Sequence, residues 1–158
     1  MNNHRHQAEE IVRHLKQSGY EAYFVGGCVR DFILGKDSDD YDIVTSALPD
    51  QVIDLFPHTY AVGAKFGVVA VIIDSHPYEV ATFRSDDNYE DGRHPSTIRF
   101  SSAKEDVFRR DFTINGLLMD PDNDKIFDYV NGRGDIEKKI IRTIGDPDNR
   151  FNEDYLRM

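Results

Sequence analysis

Hydrophobic positions change their period several times along the chain. Ala8, Ile11, Val12 and Leu15 recur at i, i+3, i+4 and i+7, the stripe of an amphipathic helix, and Gly19 follows where helices commonly stop. Residues 21–25 (EAYFV) then predict a short strand ending at Gly26, and CVRDFIL predicts a short helix closed by Gly35. Residues 40–45 (DYDIVT) read as a strand, and residues 49–56 as a helix opened by Pro49. The runs VVAVIID and YEVATFR, separated by SHP, predict a β-hairpin.

Residues 85–97 are polar, contain glycine and proline, and predict a mobile loop. Residues 104–120 are amphipathic and expected to be helical in their second half. DNDK predicts a turn, IFDYV a brief strand and residues 134–144 a further helix. Internal repeats are absent. A helix followed by mixed strands and helices, with at least one hairpin, predicts an α/β or α+β layer built on a mixed sheet. At the end, RFNEDYLRM resembles a helix start, with Asn152 as cap and Glu153 and Asp154 at the positive end of the dipole. About two turns of helix are marginal alone. The expectation is therefore a domain over residues 1–140 and the truncated opening of a helical domain over residues 141–158.

Composition narrows the classes. The chain has 158 residues, 39% hydrophobic and 11% aromatic, enough for one packed core. No apolar run reaches the roughly 18 residues that span a bilayer, and the polar start MNNHRHQAEE lacks a secretory apolar segment. Cys28 is the single cysteine, which excludes intrachain disulfides and agrees with a reducing, cytoplasmic setting. The net charge is −10, from 29 acidic and 19 basic residues. That balance argues against a large nucleic-acid-binding face, but not against a site that meets nucleic acid through metal ions.

The candidate chemistry begins in VGGCVRDFILGKDSDDYDIVT. On a strand, Asp40 and Asp42 share one face while Tyr41 points away, with Cα atoms about 6–7 Å apart. Two carboxylates so placed repel unless protonated or bound to cations. They would hold magnesium, and two ions about 3.5–4 Å apart stabilise the attacking and leaving oxygens of a phosphoryl displacement. The plainer reading is a solvated acidic turn; a calcium loop counted from Asp37 fails at Asp42 and Leu48. Gly26 and Gly27, between a strand and a helix start, would let backbone amides approach a phosphate, and Arg30 one turn later would hold a triphosphate oxygen. A Gly-Gly pair alone is most often a tight turn.

Glu79 interrupts an otherwise apolar strand, so it either faces solvent at an edge or joins the acidic pair. In RRDFTING, Arg110 and Asp111 either begin a salt-bridged helix or contact a nucleotide's phosphate or base and its ribose. Asp154 and Arg157, at i and i+3, are either a surface ion pair or a donor–acceptor set for the edge of a base.

Together VGGCVRDFILGKDSDDYDIVT, RRDFTINGLLMD, DYVNGRGDIEKKIIRTIG and RFNEDYLRM resemble the head and neck start of the class II CCA-adding enzymes (tRNA nucleotidyltransferases) and the related bacterial poly(A) polymerases. These belong to the polymerase-β nucleotidyltransferase superfamily, and the likeness runs from about Tyr20 to Met158. The resemblance implies a polymerase-β-like head with a mixed or antiparallel sheet flanked by helices. It implies template-independent transfer of CMP and AMP from CTP and ATP to the 3′ end of tRNA, with two Mg2+ ions. CC-only or A-only addition, or poly(A) synthesis, are its variants; a non-catalytic nucleotide- or metal-binding module is the rival from another class.

By the same resemblance, Asp40 and Asp42 match the metal-binding pair, Glu79 the third acid, and Gly26, Gly27 and Arg30 the phosphate contacts. Arg110 and Asp111 match the ribose motif, Asp128 and Gly132 a flexible spring, and Asp154 and Arg157 the pair that selects CTP and ATP. Gly116 stands where alanine is common, a change expected to weaken a helix. The family's basic RNA-gripping domains are not among these residues. The 158 residues alone are therefore expected to bind nucleotide weakly and tRNA poorly. A filter-binding titration at physiological salt that gave tight tRNA binding would contradict the charge balance.

Overall fold

In the computed structural model, residues 3–63, 67–89, 95–100 and 102–144 are described. Helix α1 (Asn3–Gln17) buries the four residues of its apolar stripe, and the chain leaves it through Gly19 at φ +96°. The order continues β1 (Ala22–Val25), α2 (Gly27–Ile33), β2 (Asp42–Thr45), α3 (Pro49–Leu55), β3 (Thr59–Gly63), β4 (Val68–Ile73) and β5 (His76–Thr82). Next come β6 (Arg84–Tyr89), β7 (Pro95–Phe100), α4 (Ala103–Phe108), a 3-10 turn (Thr113–Asn115), β8 (Leu117–Asp120), β9 (Lys125–Asp128) and α5 (Gly132–Lys138).

Seven strands form one sheet in the order β3-β4-β5-β2-β1-β8-β9. β2 runs parallel to β5, and every other pairing in that sheet is antiparallel, so the expected mixed sheet is present. Alternation divides the strand residues between two faces. Phe24, Ile43, Val80, Leu117 and Met119 pack with Ile11, Val12 and Leu15 of α1 in the main core. Val25, Val44 and Leu118 turn the other way and join Phe83 and Val107 in a smaller cluster. Asp42 shares this second face with Val44, so β2 offers an acid at its start and an apolar anchor two residues later.

Several expectations change. Residues 117–120 are a strand, β8, not the second half of a helix: the helical part of that stretch is α4, at its beginning. Leu117, Leu118 and Met119 are all buried because β8 is covered on both faces, which removes the polar alternation a half-exposed strand would show. Residues 85–97 do not form a simple loop. β6 and β7 pair antiparallel from Arg84↔Phe100 to Tyr89↔Pro95. Main-chain hydrogen bonding makes that ladder whatever the side-chain polarity. α5 ends at Lys138, where Lys139 takes a left-handed conformation, and Arg142–Ile144 run back along the domain. The amide of Thr113 donates to Arg142 O and that of Ile144 to Asp111 O, both at 2.9 Å. The strand β3 carries no readable strand signal before its partner β4 is in place.

Asp128 fastens α5. Its Oδ1 accepts the amides of Val130 and Gly132, at 3.2 and 2.9 Å, and its Oδ2 accepts that of Arg133 at 3.1 Å. Gly132 is buried, and a Cβ there would stand 2.2 Å from the carbonyl oxygen of Thr113. Gly116 lies at the end of the 3-10 turn, outside any α-helix. Its small size is required by packing: a Cβ would meet Ile144 Cδ1 at 3.1 Å and Val130 Cγ2 at 3.2 Å. Because the obstacle at Gly132 is backbone, Gly132→Ala is expected to destabilise the fold by about 3 kcal/mol, read by urea unfolding. Gly116→Ala, which meets only side-chain ends, should cost less than about 1.5 kcal/mol.

Candidate functional site

Gly26 ends β1 and stands before α2 with φ 80° and ψ −138°, a region that residues with a Cβ rarely adopt. Gly27 follows as the first helical residue. A methyl there would lie 3.4 Å from Arg30 Nη2, because Arg30 folds back over the turn. Arg30 Nη1 donates to Asn115 Oδ1 at 2.9 Å, and Nη2 approaches Asp31 at 3.5 Å. Arg30 therefore sits behind the glycine turn and is steered by Asn115.

One register places the acids. Ile43 of β2 is opposite Val80 of β5 in the parallel pair, so Asp42, at the start of β2, stands beside Glu79 in the middle of β5. Asp40 precedes β2, exposed like Asp42, while Tyr41 between them is buried, with its ring 5.2 Å from that of Phe24. Asp40, Asp42 and Glu79 share a cleft of about 540 Å³ with Tyr41, Tyr60, Ala70, Ile72 and Pro77. None of the three acids forms a salt bridge among the described residues. No three His, Cys, Asp or Glu side chains there stand close enough together to hold a metal ion by themselves.

The Asp42 carboxyl is pushed above the usual carboxylate range. The main cause is the crowding of water from its side of the cleft, although the residue remains open to solvent. Glu79 adds to the shift by repulsion, Arg110 opposes it, and Asp40 adds a further contribution. Behind Asp42, the Cys28 thiol is pushed up to about 12, first by burial and then by Asp42, so it is inert as a nucleophile.

Asp42 also lines a second cleft, of about 320 Å³, with Gly26, Gly27, Arg109, Arg110, Asp111 and Asn115. The arginines are held from beneath by Asp106, which is completely buried on α4. Asp106 Oδ1 accepts Arg110 Nη2 at 2.9 Å, and its Oδ2 accepts Arg109 Nε at 3.4 Å and the Arg84 amide at 2.9 Å. Burial pulls the Arg110 guanidinium down from its ordinary range, and Asp106 opposes that shift. Arg110 Nε is buried with no hydrogen-bond partner among the described residues, a donor suited to an anion. Asp111 Oδ1 accepts the Phe112 amide at 2.8 Å, which fixes its side chain beside the arginines.

Thus Asp40, Asp42 and Glu79 come together, and so do Gly26, Gly27, Arg110 and Asp111, with Asp42 common to both groups. Asp154 and Arg157 lie outside the described residues. Sequence reasoning missed Asp106, Asn115 and Tyr60. Asp106 was findable from its i, i+4 spacing to Arg110; Asn115 and Tyr60 gave no local signal.

The sequence pattern of the poly A polymerase head domain matches residues 22–142, which include every one of these described positions. The chain belongs to that family. It is 52% identical over 153 residues to the CCA-adding enzyme of Geobacillus thermodenitrificans (strain NG80-2), covering 96% of this chain and 38% of that protein. The chain thus spans under two-fifths of the length of such relatives. The crystal structure of the Bacillus stearothermophilus CCA-adding enzyme in complex with CTP superposes with a TM-score of 0.88 at 45% identity, covering 100% of this chain and 38% of that one. A tRNA nucleotidyltransferase complexed with a primer tRNA and an incoming ATP analog superposes with a TM-score of 0.71 at 30% identity, covering 93% of this chain and 42% of that one. The polymerase-β-like head fold is therefore shared. No helix among the described residues is long and apolar enough to cross a membrane.

The raised Asp42 carboxyl has a consequence for stability. A carboxyl with a higher pKa folded than unfolded favours folding most below the ordinary carboxylate range. That contribution is lost as the pH rises through the raised value, leaving at neutral pH a desolvated charge repelled by Glu79 and Asp40 and only partly offset by Arg110. Asp42→Asn should therefore stabilise the metal-free protein at pH 7, by about 0.5 kcal/mol because water screens the cleft. The gain should vanish near pH 3, as read by thermal unfolding at both pH values.

Proposed function

We propose that this chain is the catalytic head of a template-independent RNA nucleotidyltransferase. It would add CMP and AMP, from CTP and ATP, to the 3′ end of tRNA. The observation that carries the reading is that Asp42 lines two adjoining clefts, one acidic and one built from glycines and arginines. A reaction between an RNA hydroxyl and a nucleoside triphosphate needs that pairing: one side for the attacking group, one for the phosphates, with a carboxylate between them. The similarity to CCA-adding enzymes over nearly the whole chain supports the substrate class.

In the arginine cleft, Arg109 and Arg110 would bring guanidinium charge to the phosphates, Asp111 would lie toward the ribose, and the Gly26–Gly27 backbone would admit the triphosphate closely. Arg30 backs the turn. The acceptor's 3′ oxygen bonds to the α-phosphorus as the bond to the bridging oxygen breaks. Pyrophosphate leaves, and the hydroxyl proton passes to the acidic face and on to water. The work of the protein is positioning and charge stabilisation.

The donor set fits magnesium: hard carboxylate oxygens without salt-bridge partners among the described residues, one of them destabilised in its charged form. Asp40 and Asp42 would hold two ions with Glu79 alongside. Bound there, Mg2+ would neutralise charge at the attacking and leaving oxygens. The head would extend past residue 140 to Ile144, which is bound back onto it, and the residues that follow would lead into a helical neck, where Asp154 and Arg157 would select the base. A tRNA substrate and a reduced Cys28 agree with a cytoplasmic enzyme.

The test uses the full-length protein with tRNA lacking CCA and with tRNA ending in CC, offering CTP and ATP separately. CMP incorporation into the first and AMP into the second are expected. Asp42→Asn should lower both by more than about 100-fold. Absence of incorporation into either RNA would refute the transferase reading; AMP addition to any RNA end would redirect it to poly(A) synthesis.

A further inference from the structure

One row of residues crosses the sheet on the face that carries the acids. Tyr60 of β3 is paired with Ala70 of β4, and Ala70 with Glu79 of β5. Glu79 in turn neighbours Asp42 through the parallel register. Strands are spaced by about 4.8 Å, so the Tyr60 backbone lies about 14 Å from that of Asp42. Tyr60 is 65% exposed, the most open aromatic residue among the exposed large hydrophobics, although it stands in a sheet. Between the phenol and the acids the floor is low: Ala70 contributes one methyl, and Ile72 and Pro77 complete an apolar wall. The cleft, about 540 Å³, has the size of a site for a nucleotide-scale ligand.

The other cleft on Asp42 is already committed, under the reading above, to the triphosphate. Attack on the α-phosphorus is in line with departure of pyrophosphate, so the attacking hydroxyl has to approach from the opposite side of the shared carboxylate. That side is the Tyr60 cleft. Its chemistry is graded to match: carboxylates where the hydroxyl reacts, a shallow apolar floor, then an exposed aromatic ring. Rings of this kind stack on bases regardless of sequence. Among the described residues lining the cleft none is cationic, in contrast to the arginine cleft that would receive the phosphates.

We propose that Tyr60 is a stacking platform for the 3′-terminal base of the acceptor RNA, holding the terminal nucleotide so that its 3′ hydroxyl meets Asp42 and Glu79. This rests on the transferase reading. Tyr60 is a positioning residue that acts on the acceptor and not on the incoming nucleotide. Because stacking tolerates any base, the same platform serves acceptors ending in different bases as the RNA end grows.

The full-length protein and its Tyr60→Ala and Tyr60→Phe variants separate the possibilities. For Tyr60→Ala, the acceptor KM should rise about tenfold while the KM for CTP stays unchanged. Tyr60→Phe, which keeps the ring and loses the hydroxyl, should restore the acceptor KM. Without any nucleoside triphosphate, fluorescence anisotropy of a labelled tRNA ending in CC should show the same ordering of affinities. An acceptor KM unchanged in Tyr60→Ala, an equal rise in the KM for CTP, or failure of Tyr60→Phe to restore binding would each overturn the proposal while leaving the transferase reading intact. Failure of the unsubstituted protein to add nucleotide to any RNA would overturn both.

Discussion

β2 lies parallel to β5 in a sheet whose other neighbours run antiparallel, and that pairing sets Asp42 beside Glu79. These acids are far apart in the chain, and no local signal links them. The buried residues that follow, Ile43 and Val44 on β2 and Val80 on β5, anchor the register on both faces of the sheet. A slip by one residue would turn Asp42 toward the main core and expose Ile43, an unfavourable exchange of an ion for an aliphatic side chain. Core packing thus brings like charges together, and the Asp42 carboxyl is raised first by desolvation and then by the nearby Glu79 charge.

On the other side of Asp42, the positive charge is organised from below. Asp106 is fully buried and binds Arg110, Arg109 and the backbone of Arg84. A buried carboxylate tolerates its surroundings only when paired and hydrogen-bonded, and here the pairing holds two arginines at the mouth of a cleft. Through Arg84 it also joins the start of the β6–β7 hairpin to the same cleft. Asn115 plays a similar part for Arg30. The chain is acidic overall, yet two of its arginines, Arg109 and Arg110, line the cleft where a triphosphate would lie, so net charge is a poor guide to this local field.

The two clefts have opposite character. One is lined by glycine backbone and guanidinium groups; the other by carboxylates, small apolar residues and one open tyrosine. A single side chain belongs to both. The division suits a reaction whose partners differ in charge near the reacting atoms, and it explains why Glu79 can interrupt an apolar strand without an ion pair among the described residues: it lines the open cleft.

The amino-acid sequence by itself determined the local features. The α1 stripe, the Gly26–Gly27 turn and the β4–β5 hairpin follow from periodicity and backbone preference within a few residues, whereas the strand expected from Asp40 begins only at Asp42. The family likeness was also legible, because its motifs are contiguous. Tertiary structure decided the rest. Residues 117–120 became a strand because β1 supplied a partner and both faces were covered; residues 84–89 and 95–100 became paired strands through backbone bonding that a polar sequence does not announce. Gly116 proved to be small for packing against Ile144, a neighbour 28 positions away, and not for helix propensity. Asp42 beside Glu79, Asp106 beneath Arg110 and Tyr60 in line with Ala70 all depend on which strands and helices meet. Pairing across a sheet is set by the burial of whole faces, a property that no short window of sequence contains.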